Sequence, residues 1–127
     1  MPDVVLDASA ILADMYDEPG GDVARAARRT AATSAVNYCE VLTDLIEMGS
    51  TPGDAADIVD RIGYELMEAD QSRAAEAAAL HVETRRRGVS LGDRFCLALA
   101  RELRVPVLTA DRRWKDLDLG VEVRLIR

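Results

Sequence analysis

A chain of 127 residues, 49% of them apolar, is long enough for one domain with a real core and too apolar for a disordered segment. A formal net charge of -7 argues against a protein that grips nucleic acid over a broad surface, and no apolar run approaches the ~20 residues that span a bilayer. Met1-Pro2-Asp3 opens no basic-then-apolar leader, and Cys39 and Cys96 have neither CxxC nor His spacing for zinc, so the expectation is a single cytoplasmic domain over residues 1–127 whose cysteines act as small buried hydrophobes.

Val4–Leu6 is a short run of apolar β-formers and predicts a strand buried on both faces, hence central in a sheet. A helix follows from about Ala8. Glu18-Pro19-Gly20-Gly21 breaks it, and a second helix is expected over Asp22–Arg29, with a short strand candidate at Thr30–Thr33. Ala35–Met48 repeats apolar residues at Val36, Cys39, Leu42, Leu45 and Ile46, the spacing of an amphipathic helix. After the break at Gly49–Gly53, Pro52 suits a first helical position. A short strand at Leu66–Ala69 and an Ala-rich helix over Gln71–Arg87 come next. Ser90 can cap a helix over Leu91–Arg104, and strands are expected at Val105–Thr109 and Val121–Ile126. Helices alternating with strands imply an α/β fold with a mostly parallel sheet.

Four acids fall where such a fold puts chemistry. Val4–Leu6 runs into Asp7, and Val107-Leu108-Thr109 runs into Ala110-Asp111, so two carboxylates from distant parts of the chain should share the carboxyl edge of the sheet. Either Asp could equally serve as a helix N-cap. Glu40 lies about 40° from Val36 on its helix, at the border of the apolar stripe, where a carboxylate wants a cation or a donor. Asp93 lies about 20° from Ala100, also at a stripe border, but Ser90-x-x-Asp93 reads as a capping box, and capping and metal binding need different rotamers. Carboxylates gathered together repel unless a cation neutralises them, and an oxygen-only anionic site suits a hard ion such as Mg²⁺ or Mn²⁺. Ser9 and Thr109, beside the strand-end acids, could orient a carboxylate or act as local backbone partners, and Asp116 could be an extra acid or a surface residue. Positive charge is almost all arginine, in Arg28-Arg29, Arg85-Arg86-Arg87 and Arg112-Arg113, with Lys115 the one lysine. Arg94, Arg112 and Arg113 adjoin site acids and could either hold phosphate through the guanidinium fork or neutralise those acids.

Four stretches, in order and across nearly the whole chain, carry a resemblance. Val5-Leu6-Asp7-Ala8-Ser9-Ala10-Ile11-Leu12, Ser34-Ala35-Val36-Asn37-Tyr38-Cys39-Glu40-Val41, Leu91-Gly92-Asp93-Arg94-Phe95-Cys96 and Pro106-Val107-Leu108-Thr109-Ala110-Asp111-Arg112-Arg113-Trp114 resemble the acidic motifs of PIN-domain nucleases, and their order, spacing and length resemble the VapC toxins of toxin–antitoxin pairs. The resemblance implies a three-layer α/β sandwich and an Mg²⁺- or Mn²⁺-dependent endoribonuclease with Asp7, Glu40, Asp93 and Asp111 as its metal-binding quartet. It also implies three partners: RNA as substrate, a second copy of the chain and a cognate antitoxin protein. Other readings are a catalytically silent binding module of the same fold, a phospho-receiver domain and a haloacid-dehalogenase-like phosphatase. A receiver would need an acid pair at the first strand and a lysine closing a late strand, and the phosphatase a DxD where this chain has Asp7-Ala8-Ser9.

Overall fold

The computed structural model describes all 127 residues, Met1–Arg127. Its elements are β1 (Val4–Leu6), α1 (Ala8–Met15), α2 (Gly21–Ala26), β2 (Ala31–Ser34), α3 (Ala35–Glu47), α4 (Pro52–Ile62), β3 (Glu65–Met67), α5 (Gln71–Thr84), α6 (Leu91–Leu103), β4 (Val107–Thr109), a 3-10 helix at Arg112–Asp116, and β5 (Val123–Leu125). The five strands form one sheet in the order β3-β2-β1-β4-β5, and every pairing is parallel. The apolar run of β1 is buried along its length and sits in the middle, as its composition demands.

Alternation along the strands divides the core into two layers. Val4, Leu6 and Leu108 face Ile11, Val41, Leu45 and Val59 from α1, α3 and α4. Val5 and Val107 face Leu80, Cys96, Leu97 and Leu99 from α5 and α6, with Trp114 closing that layer. The result is a helix–sheet–helix sandwich. No helix is long and apolar enough to cross a membrane.

The elements are shorter than hydrophobic pattern alone suggests, for local reasons. The Val105 N–H is used on Ala100 O and Pro106 has no N–H, so β4 begins at Val107. Arg104 takes a left-handed conformation that ends α6 at Leu103, and a left-handed Gly88 follows the turn closing α5 at Thr84. α2 stops at Ala26, where Ala27 N–H turns to Ala24 O. One expectation is corrected: Cys39 is exposed, because its place on α3 turns to solvent, while Cys96 is buried.

A charged knot ties α1 to the rest of its layer. The Asp14 side chain has no accessible surface. It accepts Arg25 Nε at 2.9 Å, Arg28 Nε at 2.8 Å and Nη2 at 2.7 Å, and the Tyr64 hydroxyl at 2.5 Å. Burial raises the Asp14 carboxyl, but these donors outweigh it and hold the group below the usual carboxylate range. Removing one member of a buried charge network leaves the others unpaired, though both arginines can partly rehydrate. Asp14→Ala is therefore expected to lower the unfolding free energy by about 2–3 kcal/mol in urea titrations near neutral pH. With a lowered folded pKa, Asp14 stabilises above its unfolded value near ~3.9, and that contribution fades as acid is added below it. An Asp14→Ala variant as stable as the parent at pH 7 would show the knot to be energetically idle.

Candidate active site

β1 and β4 are neighbours at the point where strand order reverses, and their carboxyl ends border the crevice that open parallel sheets use for ligands. Asp7 stands there, 5% exposed, as the N-cap of α1. Its Oδ1 accepts Ala10 N–H at 2.9 Å and the Ser9 hydroxyl at 2.7 Å, and its Oδ2 accepts the Thr109 hydroxyl at 2.6 Å. Thr109 Oγ1 in turn accepts Asp111 N–H at 3.0 Å, and Ser9 Oγ accepts Ala110 N–H at 2.9 Å. Ser9 and Thr109 thus stitch the end of β1 to the end of β4 and fix the Asp7 carboxylate between them. Burial is the largest influence on Asp7 and the nearby charge of Asp93 adds to it. The three hydrogen bonds offset them only in part, and the carboxyl is pushed up to about 6.

Glu40 reaches the same edge from α3. It is solvent-exposed on one side, while its carboxylate lies against α6. Asn37 Nδ2 donates to Glu40 Oε1 at 2.8 Å and to Gly92 O at 3.1 Å, and Asn37 Oδ1 accepts the Ser34 hydroxyl at 2.6 Å. Asn37 is buried, so one amide sets Glu40 and pins α3 to α6. Gly92 makes the approach possible: a Cβ there would fall on the Glu40 carboxylate, 2.6 Å from Cδ. Partial burial raises Glu40, the Asn37 bond opposes this, and the charge of Asp93 adds to it.

Asp93 and Asp111 are each engaged by the chain itself. Asp93 Oδ2 accepts Ser90 N–H at 2.9 Å while Asp93 N–H donates to Ser90 Oγ at 3.2 Å, the capping box of α6. Arg113 clasps Asp111 with its fork, Nε at 3.0 Å and Nη2 at 2.7 Å, and this contact chiefly holds Asp111 below the usual carboxylate range. Asp7, Glu40 and Asp93 thus share a field, with the buried Cys96 thiol beneath them raised by burial and by all three charges. No three acids stand close enough together to enclose one ion. The donor set still fits a hard divalent cation, because it is all oxygen and its most buried member, Asp7, carries a charge at neutral pH that burial disfavours and that a cation would offset.

Of the other residues singled out in the sequence, Ser9 and Thr109 lie on Asp7, whereas Asp116 is exposed at the end of the 3-10 helix. Arg94 Nη1 donates to Ala77 O at 3.1 Å, and its Nε is buried without a partner, so this side chain leans into α5. Arg112 is exposed, with one bond to Arg127 O at 3.0 Å. Asn37, Gly92 and Cys96 carry no acid signature in the sequence. The one hint the sequence holds is the spacing of Asn37, an amide three residues from both Ser34 and Glu40.

The family profile for the PIN domain matches residues 4–119. Among solved structures, DNA-bound VapBC from Salmonella typhimurium aligns at 16% identity over 100% of each chain with a TM-score of 0.76. A toxin–antitoxin complex from Klebsiella pneumoniae aligns at 17% identity over 98% of each chain with a TM-score of 0.72. VapBC-5 from Mycobacterium tuberculosis aligns at 24% identity over 99% of each chain with a TM-score of 0.62. At such identities the likeness is one of fold. A comparison with curated proteins by sequence gives no match.

The raised Asp7 carboxyl has a stability consequence in chelator. A folded pKa of about 6 against ~3.9 unfolded favours folding below pH 4, and that advantage is lost as pH rises through about 6. The ionised Asp7 thus opposes folding at pH 7.5 by an amount on the order of 2–3 kcal/mol. Asp7→Asn should raise the unfolding free energy by about 2 kcal/mol at pH 7.5, with the gain shrinking toward zero near pH 4. Urea titrations at the two pH values measure it, and equal effects at both would rule out Asp7 ionisation as the source.

Proposed function

We propose, because the chain belongs to the PIN-domain family, that it is a divalent-cation-dependent endoribonuclease and the toxin of a toxin–antitoxin pair, built as a single PIN domain over residues 1–127. One observation carries the reading: a carboxylate buried at the end of the central strand, at the strand-order switch, with Asp93 acting on both it and Glu40. Asp7, Glu40, Asp93 and Asp111 would hold Mg²⁺ or Mn²⁺. When bound, such an ion activates water and offsets the charge that develops on a phosphate.

The chain's own residues do the positioning. Ser9 and Thr109 direct both hydroxyl protons at Asp7, so its oxygens keep a fixed aim. Asn37 does the same for Glu40 from beneath. Arg112 and Arg113 stand at the rim, where the guanidinium fork suits phosphate, while the Arg94 contact with Ala77 fits a brace for α6. The partners in this reading are RNA, a second copy of the chain and an antitoxin protein, all inside the cell. Exposed Val82, Leu91, Ile46, Met48 and Ile58 supply apolar surface for protein contacts. The solved structures of like fold include VapBC and toxin–antitoxin complexes. A catalytically silent binding module is the second reading, favoured by the fact that no three acids enclose a common point.

Asp7→Asn and Asp93→Asn should each reduce Mg²⁺- or Mn²⁺-dependent RNA cleavage by more than the ~10–100-fold typical of outer-shell partners, with the fold retained by circular dichroism. A parent protein that binds Mn²⁺ and RNA but never cuts would favour the silent module. Sedimentation without antitoxin at micromolar concentration should give two copies, since a two-fold dimer is the commonest closed assembly; a single-copy species would count against that partner.

A further inference from the structure

Arg113 holds both carboxylate oxygens of Asp111, at 3.0 and 2.7 Å, and its backbone N–H adds a third bond at 2.9 Å. The pair is unequal in exposure: the Arg113 side chain is 67% accessible and that of Asp111 20%. Exposed ion pairs are weak, so the guanidinium can leave while the carboxylate stays in the site. What it would meet on leaving is also defined. A Cβ on Gly88 would lie 3.3 Å from Arg113 Nη1, so the turn between α5 and α6 runs alongside this guanidinium. That turn carries Arg85, Arg86 and Arg87, all exposed, and no acid pairs with any of their side chains. Arg112, next to Arg113 in sequence, is exposed and donates to Arg127 O at 3.0 Å. In a chain of net charge -7, Arg113 and the three arginines of this turn make a basic lip beside Asp111, and of these four only Arg113 is paired with a carboxylate.

We propose that Arg113 is an exchangeable counter-ion: it holds Asp111 until a divalent cation takes the carboxylate, and it then joins the Arg85–Arg87 turn to hold RNA phosphate. The proposal rests on the nuclease reading above. Like-charge repulsion from the lip keeps Arg113 on Asp111 while the lip is bare. A polyanion laid along the lip reverses that balance, drawing Arg113 off and opening Asp111. Cation and RNA therefore bind with positive coupling, which is reciprocal by thermodynamic necessity. RNA is favoured over an acidic protein segment because the lip borders the carboxylates that would act on a phosphodiester.

The test measures Mn²⁺ binding by calorimetry, and binding of a mixed-sequence 2′-O-methyl oligoribonucleotide by fluorescence anisotropy with and without Mn²⁺. Arg113→Ala should bind Mn²⁺ several-fold more tightly, up to roughly fivefold on the scale of one exposed ion pair. It should bind the oligonucleotide more weakly and lose the strengthening that Mn²⁺ gives the parent. Replacing Arg85, Arg86 and Arg87 together with Ala should tighten Mn²⁺ binding slightly, because the repulsion that keeps Arg113 on Asp111 is gone, and should weaken oligonucleotide binding and flatten its salt dependence by about 2 in log–log slope. Asp111→Asn should weaken Mn²⁺ binding. Unchanged or weaker Mn²⁺ binding by Arg113→Ala, beside a parent that binds Mn²⁺, overturns the exchange while leaving the nuclease reading standing. Polyglutamate displacing the oligonucleotide at equal charge concentration overturns the assignment to RNA. A parent that binds no Mn²⁺ at all defeats the nuclease reading, and the exchange with it.

Discussion

A carboxylate buried at the end of the central strand is the constraint to which the rest of the structure answers. Asp7 has lost most of its water, and a buried charge is tolerated only when donors or a cation replace that water. Three donors do so, and one of them comes from Thr109, 102 residues along the chain. Because Thr109 must reach Asp7, β4 must lie beside β1 in parallel register, Val5 opposite Val107 and Leu6 opposite Leu108. The electrostatics of one side chain and the topology of the sheet are therefore the same requirement seen at two scales.

The molecule handles its two buried aspartates in opposite ways. Asp14 is surrounded by two arginines and a phenol, its charge is favoured, and its knot binds α1 to α2 and to the segment entering β3. Asp7 receives only neutral donors and feels a second acid, so its charge is disfavoured. The last turn of α1 is thus stabilised by charge while its N-cap carries electrostatic tension, the pattern expected where a site is shaped for a ligand and the scaffold compensates elsewhere.

Much of this could be read from the chain before folding. The continuous apolar run of Val4–Leu6 marks a doubly buried strand, and the acids after it and after Leu108-Thr109 mark one sheet edge. What could not be read depends on contacts between distant segments. Gly92 is an unremarkable helix-start residue until Glu40 from another helix arrives against its Cα. Arg94 borders an acid in sequence yet bends toward the carbonyl of Ala77. Cys39 shares the spacing of an apolar stripe, but the stripe is wider than the surface it covers, so the residue stays in water. Propensity extends β4 back to Val105, because it does not register that a proline and a helix cap have already used the backbone there.

The two outer strands of the sheet, β3 and β5, have three residues each, and their exposed positions include Glu65 and Arg124. So short and charged a border offers another polypeptide almost no ladder to extend. Such edges favour contacts through helix faces and side chains over strand addition. The sheet in that sense discourages recruitment, and the few unpaired backbone groups at its edges are a poor seed for cross-β stacking.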